Sequence, residues 1–376
     1  MGGRWALALD ERARLRLERK ACRLGDPVAR LRYLQHQMQR LGAKKAPLLR
    51  TRFVLPASLV LLLYWAAPTG SSAGRPLLSG SARLSPPAGA AIWVVQESQE
   101  CELYSNGLRI ELAWRAAGEP RRPRWLARRP SGHAWPTDPA GIVFHASESD
   151  TAPFRAELNE RLKREGESLL SWVRRHKLYH YVVDRFGRVY RILGDQERAH
   201  HAGQSLWADA DFIYFDLNES FLGVCLEACT TGPDPPALTA AQIQAARLLV
   251  QMLRARYGFS PANCVTHAQV SVNPLNGLIG YHSDWADGFP FESLGLPDNY
   301  AQPLPSLLLF GFEADTGFMQ RAGPRLREVV EAARQEVSRQ ALNRGLTPAE
   351  YRRRLAEQYR QALRSVADMQ QRRQSL

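Results

Sequence analysis

The sequence predicts an α/β fold, a single mixed β-sheet flanked by helices, with an N-terminal membrane anchor and helical extensions at both ends. Three observations predict it. Between residues 139 and 300 short apolar runs alternate with amphipathic stretches, the pattern of strands covered by helices. Turn dipeptides such as Asn106-Gly107 separate alternating apolar runs, which marks hairpins. Long segments rich in Arg, Glu and Gln, with apolar residues at helical spacing, occupy both ends of the chain.

The 376 residues are 45% hydrophobic and 23% charged, enough apolar surface to exclude a wholly disordered chain. The total charge of +13 is unevenly placed: residues 1–52 carry +10 and residues 321–376 carry +7, so the middle is slightly acidic. The basic charge therefore belongs to the helical flanks, and the partition argues against a nucleic-acid partner despite a pI of 9.9.

Residues 1–52 read as a basic helical segment, broken by Gly25, Asp26 and Pro27. Residues 53–74 hold no charge, and their apolar heart runs from Phe53 to Ala67. With Lys44, Lys45, Arg50 and Arg52 before it, this stretch reads as an uncleaved signal anchor. The expectation is a single-pass membrane protein with a cytoplasmic N-terminus and residues 75–376 outside, periplasmic or extracellular. A buried core helix is the alternative, favoured by Pro56. Residues 75–90 continue a Pro-, Gly- and Ser-rich linker.

Residues 91–138 read as a β-hairpin extension: AIWVVQ, ECELYS, the Asn106-Gly107 turn, then LRIELAW. Residues 139–300 form the main domain. GIVFHA is a short buried strand, 165–176 a helix, and YHYVVDRFGRVYRI a hairpin turning at Phe186-Gly187. FLGVCLEA is a second buried strand. Thr239 with Gln242 is a capping box, Gly258 ends the helix that follows, and CVT is a further strand. Residues 301–376 are a helical extension, whose last helix is capped by Thr347-Pro348-Ala349-Glu350. The helical arms suit self-association or protein partners. The five cysteines include no Cys-x-x-Cys pair, which argues against a structural zinc ribbon.

Seven of the nine histidines lie between 145 and 282. His145 and His267 each end an apolar strand, where side chains enter the mouth of a sheet. Asp284 can complete a His₂-carboxylate set, and three protein ligands with an open fourth position is the pattern of catalytic zinc. A lone histidine in such a place is more often a hydrogen-bonded core residue, so this reading competes with a structural one.

Seven segments occur in order: FHAS at His145, YHYVVDRFGRVYRI at 179–192, AHHAGQS at 199–205, NESFLGVCLEA at 218–228, the helix from Thr239, VTHAQVS at 265–271 and HSDWADGFPF at 282–291. Together they resemble the zinc-dependent N-acetylmuramoyl-L-alanine amidases, the amidase-2 or peptidoglycan-recognition-protein family, over about residues 139–295. The resemblance implies an amidase-2/PGRP-like sheet, a zinc cofactor and a peptidoglycan or muropeptide substrate. It implies hydrolysis of the amide between N-acetylmuramic acid and L-alanine. By position it implies His145, His267 and Asp284 as metal ligands, with Asp287 as fallback because the gap after His267 is longer than the family's. Tyr179 matches a tyrosine that some members use beside the reacting water. His282 falls where the family places an oxyanion-steadying lysine, and His201 matches a substrate-binding histidine. The family's general-base glutamate falls on Cys225, and Glu227, two residues on, shares that strand face and could serve instead.

Two other classes compete with the enzyme: a non-catalytic peptidoglycan-binding or sensing protein of the same fold, and an anchored scaffold whose business is its helical arms.

Overall fold

The computed structural model describes residues 91–128, 137–149, 152–231 and 238–374. The chain divides into two units, Met1–Ser81 and Ala82–Leu376, and all described residues belong to the second. The basic segment 1–52, the apolar stretch 53–74 and the linker 75–90 lie outside the described residues.

The expected single-pass anchor is corrected. Among the described residues no helix is long and apolar enough to cross a membrane. The physical weakness was already in the sequence. Phe53 to Ala67 is 15 residues interrupted by Pro56, against the roughly 20 apolar residues that a spanning helix needs.

The principal sheet has eight strands. In chain order they are β1 Val94–Glu97, β2 Cys101–Tyr104, β3 Arg109–Glu111, β4 Ile142–Ala146, β5 Tyr181–Val183, β6 Val189–Arg191, β7 Leu222–Leu226 and β8 Cys264–Thr266. Their spatial order is β1-β2-β3-β6-β5-β7-β4-β8. The centre, β5-β7-β4-β8, is parallel, while β5 and β6 form an antiparallel hairpin. The sheet is therefore mixed, and its parallel strands read as unbroken apolar runs because both faces are covered. All five residues of β4 and all five of β7 are buried. A three-stranded sheet and two two-stranded ribbons accompany the principal sheet.

The strands at 91–116 join the principal sheet. β3 pairs with β6 in parallel, which makes β1–β3 one edge of the principal sheet. The β2–β3 turn has Gly107 at φ +86°, a conformation in which glycine meets no steric penalty. Arg191 on β6 ties the edge down: it ion-pairs with Glu102 and its guanidinium donates to Tyr104, both on β2 across the intervening β3, and to Tyr181 on the adjacent β5.

Helices cover the sheet. α1 (Asn159–His176) buries Leu162, Gly166, Leu170 and Val173, and its Leu170 and Val173 pack with Val182 and Cys225. α2 (Ala240–Tyr257) begins at Thr239, whose hydroxyl accepts from Gln242 N while Gln242 accepts from Thr239 N. Gly258 ends it at φ +67°. The C-terminal extension is a helical hairpin, α3 (Pro324–Leu342) and α4 (Pro348–Gln374), that packs on its own domain. Tyr359 of α4 meets Phe215, Phe310 and Phe312 edge-on or tilted. Cys101, Cys225, Cys229 and Cys264 are free thiols.

Candidate metal centre

His145 lies on β4 one residue before the strand ends, directly beside Cys225 of β7 in the parallel register. It is 1% exposed. Burial, helped by the neighbouring His267, pulls its pKa down to about 4, so the ring is neutral at pH 7. His267 starts where β8 runs into a one-turn helix, His267–Val270. That turn is capped reciprocally: Gln269 Oε1 accepts from Thr266 N, and Gln269 Nε2 is held by the Asn299 carbonyl. The cap fixes the angle at which His267 leaves the strand.

Asp284 comes from the following loop. Its backbone carbonyl accepts from Ala268 N at 3.3 Å, which docks the loop against the His267 turn. Trp285, next in sequence, is fully buried with φ +56°. A bulky residue in the left-handed region costs about 1–3 kcal/mol and persists only where packing dictates it. Here the packing includes an edge-on contact with Phe289 and a hydrogen bond from Tyr300 to the Trp285 carbonyl.

These elements bring one atom each from His145, His267 and Asp284 within 4.8 Å of one another. His145 Nδ1 lies 3.3 Å from Asp284 Oδ2, and His267 Nδ1 lies 2.9 Å from Asp284 Oδ1. Among the described residues those two imidazoles are the ion-pair partners of Asp284, and neither is a permanent cation. A carboxylate with little access to water and no guanidinium or ammonium beside it is an unfavourable arrangement until a cation joins it. Two imidazole nitrogens and one carboxylate oxygen are a zinc donor set with room for a further ligand. The residues present fit the metal that the sequence motifs imply.

The remaining predicted residues divide. The Tyr179 ring stands 5.0 Å from the His145 ring, at the edge of the cluster. Burial first, then Cys225 and Asp284, raise the Tyr179 phenol well above its ordinary pKa, so it remains a proton-bearing donor. His282 stacks on His267 at 4.5 Å with the rings 16° from parallel, and its backbone N–H donates to Ser271 Oγ. It is exposed at the mouth of the site.

His201 is 6% exposed and sits behind His145 rather than on the open side. Its Nδ1 lies 3.1 Å from His145 Nε2. Burial and the imidazoles of His145, His180 and His267 push its pKa well down, so it too is neutral.

Glu227 is not brought to the cluster. Its Oε2 accepts from Arg185 N at 3.1 Å, and a Cβ on Gly166 of α1 would be 3.6 Å from the same oxygen. Strand parity does place it on the face of Cys225, but two residues along a strand is ~6.6 Å, and the Arg185 amide claims the carboxylate there. Asp287, the fallback ligand, is exposed and accepts from Gly288 N. Cys225, beside His145, stays a thiol because burial, Asp284 and Glu227 raise its pKa.

Residues to which the sequence assigned no role at the metal cluster complete the site. Asn218 accepts from the backbone N–H of both His201 and Ala202 through Oδ1. The Phe221 and Ala202 carbonyls face ring nitrogens of His201 and His267. The Asn-x-Ser turn at 218–220 was a faint signal for the first, whereas backbone carbonyls carry no residue code at all.

Residues 135–285 match the family model described as N-acetylmuramoyl-L-alanine amidase, Amidase_2. No curated protein matches the chain. Among solved structures, the chain is similar to the amidase AmiD from E. coli, in complex with an anhydro-N-acetylmuramic acid peptide, at 23% identity and TM-score 0.33; the match covers 56% of this chain and 83% of that one. It is similar to AmpDh3 from Pseudomonas aeruginosa, in complex with anhydromuramic pentapeptide, at 19% identity and TM-score 0.33, over 55% and 76% of the two chains. A third is the amidase LysC from Clostridium intestinale, at 18% identity and TM-score 0.26, over 42% and 83%.

Proposed function

We propose, on the premise that residues 135–285 form an amidase-2 domain, that this protein hydrolyses the amide bond between the lactyl group of N-acetylmuramic acid and the L-alanine of peptidoglycan, using zinc held by His145, His267 and Asp284. The observation that carries the reading is the convergence of those three ligand atoms within 4.8 Å around a carboxylate that, among the described residues, has no permanent cation beside it.

Zinc, when bound, supplies Lewis acidity that polarises a carbonyl and lowers the pKa of water to about 7. Burial holds the His145 ring neutral, and Asp284 contributes the negative charge of the set. Tyr179 keeps its phenolic proton at neutral pH and so orients a reacting water or carbonyl by donating from its hydroxyl. His282, stacked on His267 at the mouth, offers a ring N–H to the oxyanion that develops as the amide carbon becomes tetrahedral. A donor aimed at the developing charge rather than at the ground state lowers the barrier to the reaction.

One observation favours the second reading, a peptidoglycan-binding protein without turnover. Glu227 is engaged by Arg185, and the position beside His145 holds a thiol instead of a carboxylate. Among the described residues no carboxylate then stands beside the cluster as a general base, and Tyr179, which keeps its proton, orients a water without taking a proton from it. The deciding experiment measures zinc content of the purified full chain and release of the stem peptide from muropeptides by mass spectrometry. One zinc per chain with cleavage at the lactyl–L-alanine amide supports the hydrolase. Zinc with muropeptide binding and no cleavage supports the binding protein, and a chain that holds no zinc overturns both.

A further inference from the structure

We infer that residues 313–323, which lie beyond the amidase match at 135–285, are the outer brace of the loop that carries His282 and Asp284, with Phe318 as a positioning residue. This inference rests on the zinc reading of the site.

Regular structure places the two imidazole ligands, His145 on β4 and His267 where β8 meets its capped turn. Asp284 has no such support. Between Ile279 and Glu292 the chain forms neither helix nor strand, so its course depends on what it is fastened to. On the inner side it is fastened to the His267 turn. The Ser271 carbonyl accepts from Gly280 N, the Ser271 hydroxyl accepts from His282 N, and the Asp284 carbonyl accepts from Ala268 N.

The outer side belongs to the C-terminal extension, which meets the loop at three levels. At the entry, Ile279 N donates to the Glu313 carbonyl at 2.8 Å and Glu313 N donates to the Gly277 carbonyl at 2.9 Å. Next, the fully buried Phe318 ring rests against the bare Cα of Gly280, where a Cβ would overlap it. At the exit, Gly323 N donates to the Ala286 carbonyl at 3.0 Å, and a Cβ on Gly323 would overlap the Asp287 carboxylate. Asp284 lies in the stretch between the second and third contacts. Glycine at both of them permits an approach that no other residue allows.

The brace is anchored in turn. Asp315 caps the helix Thr316–Arg321 that carries Phe318. Arg334 of α3 donates to the Ala314 carbonyl at 2.6 Å, and Arg352 of α4 pairs with Glu313 at 3.3 Å. A ligand set is only as tight as the groups that hold its members, and a support that lets a ligand drift by about 1 Å loosens the site. The terminal helices thus act on the metal centre through this segment.

Hydrogen exchange of the full chain, read by mass spectrometry without zinc, compares the parent with F318A, F318L and L249A. Leu249 is a fully buried residue of α2, and its truncation controls for lost packing alone. F318A is expected to speed exchange in 280–287 and to leave 142–146 at the parent rate. In chelator competition F318A is expected to hold zinc about 10-fold more weakly than the parent, F318L to fall between the two, and L249A to match the parent. Unchanged exchange in 280–287, equal zinc affinity in F318A and parent, or equal loss in F318A and L249A overturns the brace. Should F318A not fold, F318L carries the same comparison with L249A. Coupling between two sites is reciprocal, so zinc should slow exchange in 313–323 of the parent, and exchange there that ignores bound zinc also overturns the proposal. A parent that binds no zinc removes the hydrolase reading, while the zinc-free exchange still decides whether the brace exists.

Discussion

Two buried polar assemblies lie in the same domain, and they are built on opposite principles. Around Arg191, the charges close. Two guanidinium groups, Arg191 and Arg256, face two carboxylates, Glu102 and Asp195, through ion pairs. The hydroxyls of Tyr104, Tyr181 and Tyr257 fill the remaining valences: Tyr181 and Tyr257 donate to Asp195 at 2.5 and 2.6 Å, and Tyr104 donates to Glu102 at 2.6 Å. Around Asp284 the charges do not close. The carboxylate meets two imidazoles and no guanidinium among the described residues, and the other nitrogen of each ring faces a polar atom behind it. A satisfied network of the first kind ties strands together, whereas an unbalanced one of the second kind is a candidate binding site.

The largest expected effect comes from breaking the open cluster. His145→Ala and Asp284→Ala should each lower muropeptide turnover by at least ~10²-fold, a loss on the scale of removing a catalytic electrostatic group, together with loss of zinc retention. Wild-type turnover in Asp284→Ala would remove that residue from the site. Dialysis against a chelator should reproduce the loss in the unaltered protein, and added zinc should restore it.

Breaking the closed cluster should do the reverse. Arg191→Met leaves Glu102 and Asp195 buried with one cation fewer, and should destabilise the fold by roughly 3–5 kcal/mol, read by urea unfolding. Zinc content per folded molecule should stay at the parent value. A loss of zinc without a loss of stability would mean that the two assemblies are not separable.

A third prediction concerns pH. His180 is fully buried, donates from Nε2 to the Glu197 carbonyl and accepts from Gly223 N at Nδ1. Burial pulls its pKa from 6.5 to about 4. The unfolded chain therefore binds a proton in that window which the folded chain refuses. The stability contributed by neutral His180 is present above pH 6.5 and is lost as pH falls towards 4, by up to ~3 kcal/mol. His180→Gln should flatten the difference between stabilities measured at pH 7 and pH 4.5, and an unchanged slope would show that His180 is not the group responsible.

The smallest effect belongs to Glu227. Because Arg185 N and the α1 face hold its carboxylate, Glu227→Gln should leave turnover close to that of the parent. A large fall in turnover with unchanged stability would return Glu227 to the chemistry and make the site less open than its geometry shows.

Much of this was legible along the chain. The Asn106-Gly107 and Phe186-Gly187 turns, the Thr239 capping box, the Gly258 stop and the strand-end positions of His145 and His267 are local. They depend on backbone preferences and on the period of apolar residues, which neighbouring side chains announce. What a long-range contact decides was not legible. β1–β3 could have stood apart, and they join the sheet because β3 finds β6 and Arg191 finds Glu102. Asp284 rather than Asp287 meets the histidines because a strained Trp285 turns the loop there. Glu227 shares a face with Cys225 yet is claimed by the Arg185 amide.

The residue types determined that this chain can build strands ending in imidazoles and a carboxylate loop to meet them. Only the tertiary structure decided which carboxylate arrives and which side chain withdraws, and which nitrogen of each ring faces inward. The reason is that these choices are competitions between hydrogen-bond partners far apart in sequence, and several of those partners are backbone atoms that every residue possesses.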